Sequence, residues 1–431
     1  MNSIEFAQKN KDRFIAMRRD LHKHPEPAWL EYRTAAMAAD RLTELGFTLV
    51  VGEEVVKADA RMGLPSREAM KAAMDRAIAE GANPKWVKKM GYGFTGMVAT
   101  MQCQPGGPVV GFRADIDSND VIESDDPGHF PNQEGFASCH HGAMHACGHD
   151  AHLTMALGLA EYVAMKKDTL KGTFKLILQP AEEGVRGAKA MRDAGVVDDV
   201  DVFFGMHIGF DKKLSGCLAC MNPGFLATTK LDATFTGYSS HAGGSPELGK
   251  NALLAACTAA LNLQAISRHS QGASRINVGV LNAGTGRNVI PDTAVLKIET
   301  RGETTEINDY IKERVLQILK GAAVMYDISV TTEEVGGAPA GQNTESLALE
   351  IQKLAQDSGI FKEAPLVYSG GGSEDCAFFL ERVIANGGRG TYMVLGSAIP
   401  APHHNPKFNI EEVDMINGIA WLGRVAETYL K

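Results

Sequence analysis

The stretch Met144–Asp150 carries the side chains best suited to chemistry in this chain. Its sequence, MHACGHD, places one thiol, two imidazoles and one carboxylate within seven residues. Zinc and similar divalent ions prefer these ligand types. The stretch therefore predicts half of a metal site, with Cys147 and His149 as candidate ligands. We expect Asp150 to cap the helix AHLTMALGLAEYVAMKK, which would hold the ligands at a helix start.

Further candidate ligands follow predicted β-strands elsewhere in the chain. In order, these are Asp115 after GPVVGFR, Glu182 and Glu183 after TFKLILQP, His207 after VDVFFGM and His404 after TYMVLG. Open α/β sheets place their active sites at the carboxyl ends of the strands. We therefore expect these side chains, distant in sequence, to converge on one crevice.

Each of these residues also has a simpler interpretation. A single histidine is more often a satisfied structural residue than a ligand, and adjacent glutamates are usually a solvated loop. Their joint occurrence favours metal, with five candidate ligands: Cys147, His149, Glu183, His207 and His404. This number exceeds what one tetrahedral ion uses, whereas two ions about 3.5–4 Å apart with a shared ligand need about as many. The sequence therefore predicts a di-metal hydrolase.

The glutamate pair Glu182 and Glu183 is expected to divide two tasks. Adjacent residues cannot easily face the same ion, so one carboxylate should bind metal while the other stays free. The free one would act as general base, taking a proton from water and later giving it to the leaving amine, a role worth ~10²–10⁴ in rate. Spacing alone does not assign the two roles.

The chain is organised as an α/β protein with a second domain inserted into it. Residues 1–220 form the first part of the predicted catalytic domain, with a surface insertion at about 51–94. Residues 221–336 follow a strand–helix–strand–strand–helix pattern, which is typical of a compact α+β unit. The catalytic domain resumes over 337–431. Residues 4–45 are predicted to form two helices around a proline-rich break.

Composition excludes several classes of partner. The net charge of −9 and the absence of a clustered Lys/Arg face argue against nucleic-acid binding. The N-terminus lacks the apolar core of a signal peptide, and no run of ~18 apolar residues could span a bilayer. We therefore expect a cytoplasmic protein without a membrane partner. The seven cysteines do not suggest a disulfide framework.

Several motifs together carry a family resemblance that covers nearly the whole chain. In order they are MHACGHD at 144–150, QPAEEG at 179–184, MHIG at 206–209, SHAGGSP at 240–246, NVIP at 288–291, GSED at 372–375 and HNP at 404–406. This series resembles the metallopeptidase/amidohydrolase family that includes aminoacylase, glutamate carboxypeptidase and the auxin-conjugate amidohydrolases. The resemblance is strongest to members that cleave p-aminobenzoyl-glutamate, because of ARMGLP, GFASC and GVVDDVD.

The resemblance implies a fold and a metal site. It implies a di-metal peptidase-like catalytic domain, with a mostly parallel sheet flanked by helices, and an inserted α+β lid or dimerisation domain. It also implies two divalent ions per chain, Mn²⁺ or Zn²⁺. The implied roles are Cys147 as bridging thiolate, His149, Glu183, His207 and His404 as the other ligands, Glu182 as base, and Asp115 as the carboxylate that orients a ligand.

The resemblance also implies how substrate is held. His241 would stabilise the oxyanion of the scissile carbonyl, in relatives often across a dimer interface. Asn288 and Arg301 would bind the substrate α-carboxylate, and Gly372 would line the substrate site. The chain departs from the family where relatives usually have RADxDALP, since it reads RADIDSNDV.

The implied reaction is hydrolysis of p-aminobenzoyl-glutamate to p-aminobenzoate and glutamate. The implied assembly is a homodimer or a heteromer with a related B-type subunit. One alternative is an N-acyl-amino-acid or hippurate-type amidohydrolase with the same machinery. Another is a metal-loaded partner subunit without activity, which is disfavoured because Glu182, His241, Asn288 and Arg301 are all present.

Overall fold

The computed structural model describes residues 1–209, 215–368, 370 and 372–431. The chain forms two compact units. The larger comprises Met1–Pro223, Gly341–Gly370 and Asp375–Lys431, and the smaller comprises Gly224–Ala340 with residues 372–374. The limits of the smaller unit lie within four residues of the 221–336 expected from sequence.

The structure describes thirteen α-helices. In chain order they are α1 (Ser3–Lys9), α2 (Lys11–Lys23), α3 (Tyr32–Glu44), α4 (Arg67–Ala79), α5 (Pro84–Met90), α6 (Phe130–Glu134), α7 (His149–Lys166), α8 (Ala188–Asp193), α9 (Ala252–Gln264), α10 (Thr305–Met325), α11 (Glu345–Ser358), α12 (Ala377–Ala385) and α13 (Glu412–Tyr429). Within the described residues, no helix is both long and apolar enough to cross a bilayer.

The strands form one sheet in each unit and a short separate pair. In chain order they are β1 (Thr48–Val51), β2 (Met97–Gln102), β3 (Gln104–Asp115), β4 (Lys171–Gln179), β5 (Val202–Gly209), β6 (Leu218–Ala219), β7 (Ala227–Thr236), β8 (Ser240–His241), β9 (Ser274–Ala283), β10 (Val289–Ile290), β11 (Thr293–Gly302), β12 (Ser329–Ala338) and β13 (Arg389–Gly396).

The sheet of the larger unit has a parallel centre and antiparallel edges. Its strand order is β1-β2-β4-β3-β5-β13-β6. The neighbours among β4, β3, β5 and β13 pair in parallel, whereas β1, β2 and β6 join in antiparallel fashion. The predicted α/β fold is thus confirmed. Its parallel centre brings the carboxyl ends of four strands to one edge, where such sheets place their sites.

Helix α7 starts earlier than predicted. It begins at His149, and its N-cap is Gly148, whose φ of +90° suits glycine. The expectation that Asp150 caps this helix is wrong. Its Oδ2 instead accepts a hydrogen bond from Arg18 Nε at 2.8 Å and pairs with His22 Nδ1 at 2.9 Å. The buried ion pair, rather than a helix cap, fixes this carboxylate.

The insertion at 51–94 contributes to the main core. The expectation that it lies on the surface is wrong, because Trp86, Val87 and Met90 of α5 are buried in the same apolar cluster as the central strands. Trp86 also donates from Nε1 to Asp40 Oδ1 of α3 at 2.7 Å. Asn83 caps α5 by accepting from Lys85 N. Three apolar side chains on one face of a short helix explain this attachment.

The opening residues 4–45 form three helices where two were predicted. The additional break falls at Asn10, whose side chain donates to Phe6 O at 2.9 Å. Asparagine side chains compete in this way for backbone carbonyls and so favour helix ends.

The smaller unit is an antiparallel sheet packed against helices. Its strand order is β12-β7-β11-β9, and apolar residues of these strands form one buried cluster with α9 and α10. β12 follows α10 and was not in the predicted pattern. The pair β8 and β10 lies apart from this sheet.

Candidate metal centre and active site

The structure brings the five predicted metal ligands together in the larger unit. Cys147 lies in the loop before α7, His149 is the first residue of α7, and Glu183 lies in the turn after β4. His404 follows β13 by eight residues. His207 lies inside β5 rather than after it, because β5 continues to Gly209. That placement corrects the expectation that every ligand follows a strand.

The ligand atoms form two overlapping groups that share Cys147. One group is Cys147, His149 and His207, and the other is Cys147, Glu183 and His404, with all ligand atoms of a group within 4.8 Å of one another. Cys147 Sγ lies 3.4 Å from His207 Nε2, and His404 Nε2 lies 3.4 Å from Glu183 Oε1. Ligands about 2.0–2.3 Å from one tetrahedral ion are separated by roughly 3.3–3.8 Å. The arrangement therefore fits two adjacent cations with a shared thiolate.

Two buried atoms in this cluster lack a hydrogen bond within the described residues. They are His149 Nε2 and Glu183 Oε1, which lie 3.9 Å apart. A buried polar atom without a partner costs about 1–3 kcal/mol. A cation in each of the two ligand groups would satisfy one of these atoms, so the donor set fits two metals on geometry as well as on chemistry.

The charges around Glu183 favour a bound cation. Burial opposes its ionisation, but the interaction with His404 and the charge of His149 lower the pKa of Glu183 to about 2. Interactions with Cys147 and Glu183 raise the pKa of His404 to about 10. Burial and the nearby Glu183 raise the pKa of Cys147. A divalent ion binds a thiolate and a neutral imidazole, so metal binding would release any proton that Cys147 or His404 carries.

The two adjacent glutamates have different surroundings. Glu182 Oε2 lies 4.0 Å from His149 Nε2, close to the 3.9 Å measured for Glu183 Oε1. The group with Cys147 and His404 contains Glu183, and both glutamates also form a group with His149. This membership supports Glu183 as the candidate ligand, with Glu182 as the candidate base beside it.

Asp117 is a site residue to which the sequence interpretation gave no role. His149 Nδ1 donates to Asp117 O at 2.9 Å, and the Asp117 carboxylate accepts from the backbone N–H groups of Glu182 at 3.1 Å and Glu183 at 2.9 Å. One residue thus orients a ligand and both glutamates. The spacing Asp115–Ile116–Asp117 after a strand was the available signal, but it does not say which aspartate faces the site.

Asp115 contacts the site mainly through His152 rather than by a hydrogen bond to a candidate ligand. Its Oδ1 pairs with His152 Nδ1 at 2.5 Å, and His152 Nε2 accepts from Ile208 N at 2.9 Å. Asp115 Oδ2 accepts from Arg113 at 2.7 Å and lies 3.7 Å from His149 Nε2. Asp115 therefore fixes the strand segment beside His207 through His152, while Asp117 takes the direct bond to His149.

The predicted oxyanion and carboxylate residues lie in the smaller unit, at two distant places. His241 of β8 pairs with Val289 of β10, and Ala242 N donates to Asn288 O at 3.0 Å, so His241 and Asn288 are neighbours. Arg301 lies near the far end of β11, eight residues beyond its first residue. At about 3.3 Å per residue this is about 26 Å. One carboxylate cannot contact Asn288 and Arg301 of the same chain.

Arg301 and Gly372 have local partners in the smaller unit. Both Arg301 Nε and Nη2 donate to the Glu299 carboxylate, at 3.1 and 3.0 Å. The carbonyl of Gly372 accepts from Leu226 N at 2.8 Å, and open space surrounds the position where a Cβ would stand. A substrate carboxylate would therefore compete with Glu299 for the Arg301 guanidinium.

Comparison with known proteins identifies the family. Residues 111–428 match the family described as Peptidase family M20/M25/M40. The chain belongs to this family. It is 46% identical to the A-type subunit of p-aminobenzoyl-glutamate hydrolase from Escherichia coli (strain K12), with 98% of this chain and 97% of the relative covered. The identity and coverage are the same for indole-3-acetyl-aspartic acid hydrolase of Enterobacter agglomerans. The crystal structure of an aminobenzoyl-glutamate utilization protein from Klebsiella pneumoniae matches with a TM-score of 0.86 and 40% identity, covering 99% of this chain and 98% of that one.

Membership of family M20 confirms the predicted family and enzyme class. The chain is a hydrolase, and its family is one of metallo-hydrolases. Its predicted site residues remain predictions, supported by the two ligand groups around Cys147.

Asn119 marks the place where this M20 chain departs from the usual family sequence. Its side-chain Oδ1 accepts from Ala146 N at 3.0 Å, and its backbone exchanges two hydrogen bonds with Met144. The asparagine therefore fixes the loop that carries Cys147. The asparagine of RADIDSNDV is thus one support of this loop.

Asp375 is a second support that sequence analysis did not assign. Its carboxylate accepts from Gln179 Nε2 at 2.8 Å and from the backbone N–H groups of Gly187 at 3.0 Å and Ala188 at 2.9 Å. These three bonds hold both ends of the turn that contains Glu182 and Glu183. The motif at 372–375 was recognised, but its acidic residue supports the catalytic turn.

Proposed function

We propose that this M20 chain hydrolyses the amide bond of p-aminobenzoyl-glutamate. The observation that carries the proposal is the pair of ligand groups sharing Cys147, with Glu182 beside them. The relatives at 46% identity are named as hydrolases of an aryl-glutamate and of an indole-acetyl-aspartate. Indole-3-acetyl-aspartate is therefore the second candidate. The hippurate-type alternative is not favoured, since both relatives are named for conjugates of acidic amino acids.

Two divalent ions are part of the proposal. One would be held by Cys147, His149 and His207, and the other by Cys147, Glu183 and His404. When bound, such ions polarise a carbonyl and lower the pKa of water. A thiolate and three imidazoles suit zinc, while the carboxylate also suits manganese. Metal analysis of protein purified from cells grown with both metals will distinguish them.

The chain's own residues move the protons and hold the substrate. Glu182 takes a proton from the attacking water and delivers it to the nitrogen of the leaving amino acid. His241 donates an N–H to the developing oxyanion. Arg301 holds the α-carboxylate with its planar fork, which a point charge cannot match.

We also propose that two chains cooperate in each site. His241 and Asn288 lie at one end of the smaller unit and Arg301 at the other, about 26 Å away along β11. A substrate that meets all three residues needs one end from each of two chains. A homodimer satisfies this requirement. Two of the relatives are named as an A-type subunit or its homologue. A heteromer with a related B-type chain is therefore the second arrangement to test.

A substrate panel tests the proposed function directly. Protein supplied with Mn²⁺ or Zn²⁺ is assayed with p-aminobenzoyl-glutamate, indole-3-acetyl-aspartate, hippurate and N-acetyl amino acids. We expect the two conjugates of acidic amino acids to be cleaved with a kcat/KM at least about tenfold above the others, because one lost charged contact costs about that much. Faster cleavage of hippurate would replace this proposal with the hippurate-type alternative.

A further inference from the structure

The Arg186 guanidinium lies against the backbone of Gly184, the residue that follows the two glutamates of the site. Its backbone N–H donates to Ala181 O at 3.1 Å, so the chain returns to the start of the Glu182–Glu183 turn. The side chain folds over Gly184: a Cβ added there would lie 2.9 Å from Arg186 Nη2 and 3.1 Å from Cζ. Gly184 is the residue after the predicted ligand Glu183. The missing side chain at Gly184 leaves room for this guanidinium.

No carboxylate of the described residues neutralises Arg186. The Arg186 side chain is half-buried. Among the described residues it donates one hydrogen bond, from Nη1 to Gly63 O at 3.2 Å. The nearby Arg192 provides the contrast, because it pairs with Asp193 at 2.6 Å and with Glu381 at 3.5 Å. Partly buried charges are ordinarily paired. An unneutralised guanidinium at a site edge therefore suits an anionic ligand.

The insertion at 51–94 supplies the anchor for Arg186. Gly63 belongs to this segment, and the neighbouring Met62 accepts at its carbonyl from Trp29 Nε1 at 2.8 Å. Trp29 is fully buried. The carbonyl that holds Arg186 Nη1 is thus fixed to the core, which limits the positions that the remaining guanidinium N–H groups can take.

We propose that Arg186 binds the side-chain carboxylate of the substrate's acidic amino acid. This inference rests on the proposed function, in which the α-carboxylate already occupies Arg301. A glutamate or aspartate conjugate carries a second carboxylate, and in a chain with a net charge of −9 that anion needs its own cation. Arg186 Nε and Nη2 offer a planar fork for it. The M20 chain would then select conjugates of dicarboxylic amino acids over neutral ones.

The experiment compares p-aminobenzoyl-glutamate with p-aminobenzoyl-glutamine, which has nearly the same shape and no side-chain charge. We expect the wild type to prefer the glutamate substrate by kcat/KM. Arg186→Gln should lower kcat/KM for the glutamate substrate by roughly 10- to 100-fold, the range for losing a charged hydrogen bond, and leave the glutamine substrate nearly unchanged. For the glutamate substrate, Arg186→Lys should have a kcat/KM between those of the wild type and Arg186→Gln. Arg192→Gln is the matched control and should leave kcat/KM for both substrates at the wild-type level.

Two further readouts separate recognition from structural support. Glutarate, a dicarboxylate, should inhibit the wild type more strongly than butyrate, and Arg186→Gln should remove that difference. Bound metal should stay the same in both proteins. The assignment of Arg186 would be overturned if Arg186→Gln lost kcat/KM equally on both substrates or still bound glutarate better than butyrate. Loss of metal from Arg186→Gln would also overturn it. A wild type that cleaves neither aryl substrate would overturn the proposed function itself.

Discussion

Ala181 has a left-handed backbone conformation directly before Glu182. Its φ is +53°, and Val185 and His404 also have positive φ values, of +58° and +63°. Such conformations cost of order 1–3 kcal/mol each in residues other than glycine, and they cluster at functional sites. All three flank or belong to the predicted site residues. The surrounding structure must therefore hold the turn, and Glu31 does part of this by accepting from Ala181 N at 2.8 Å.

Glu31 is the residue at which pH should alter stability. Burial and the nearby charge of Asp117 raise the pKa of Glu31 to about 8, from an ordinary value near 4.5. The folded protein therefore binds an extra proton between about pH 4.5 and 8, so this contribution to stability is complete below pH 4.5 and is lost as pH rises through 8. Glu31→Gln mimics the protonated acid. It should gain stability relative to wild type from pH 5.5 to 8, by up to roughly 4 kcal/mol, since one pKa unit is worth about 1.4 kcal/mol.

Urea denaturation of both proteins at pH 5.5 and pH 8 checks this expectation. Glu44→Gln, on an exposed part of α3, serves as control and should follow the wild type at both values. Parallel pH dependence of Glu31→Gln and wild type would show that Glu31 is ionised in the folded protein at both pH values.

Residue types and motif order predicted the ligands, but not how they are supported. The five candidate ligands were found because thiol, imidazole and carboxylate side chains followed predicted strands. The choice between Asp115 and Asp117 depends on where β3 ends and which way each side chain points, which the sequence does not state. The supports Asn119 and Asp375 act through backbone N–H groups, and those contacts leave no pattern in the sequence.

At the scale of elements, helix α5 ties the insertion to the core. Trp86 is 7% exposed and contacts α3 through its hydrogen bond to Asp40. The many charged residues along 51–94 suggested a surface segment, although the segment also contains many apolar residues that are buried. The helical spacing of the buried apolar residues in α4 and α5 carried the opposite signal.

Trp86→Ala should destabilise the protein by about 3–5 kcal/mol, the usual cost of removing a buried aromatic side chain. Lys88→Ala, on the exposed face of the same helix, should have an effect within about 0.5 kcal/mol. Urea midpoints of the two variants provide the measurement. Equal midpoints would mean that the insertion does not contribute to the main core.

At the scale of the whole molecule, the parallel centre of the sheet and the inserted unit were both predicted from the alternation of strands and helices. The antiparallel direction of the edge strands was not, because it depends on which strand each of them pairs with. The separation of Asn288 from Arg301 also could not be predicted from the sequence. It depends on the direction of β11, and it makes the two-chain site the main question about the assembled protein.

Mixing two inactive variants tests whether sites are shared between chains. His241→Ala and Glu182→Gln are each expected to lose most activity alone. In a mixed dimer, one site would combine an intact Glu182 with the partner's intact His241, so activity should return to about a quarter of the wild-type value at equal mixing. No recovery in dimers shown to be mixed would place His241 in its own chain's site.

The central claim is that Cys147 and its neighbours hold two ions while Glu182 moves the proton. Metal content and turnover of p-aminobenzoyl-glutamate, measured side by side, test it most directly. Glu182→Gln should keep two ions per chain and lose about 10²–10⁴ in kcat, the usual contribution of a general base. His149→Ala should lose metal along with activity. If both variants lost metal equally, or if Glu182→Gln kept its turnover, this account of the site would be contradicted.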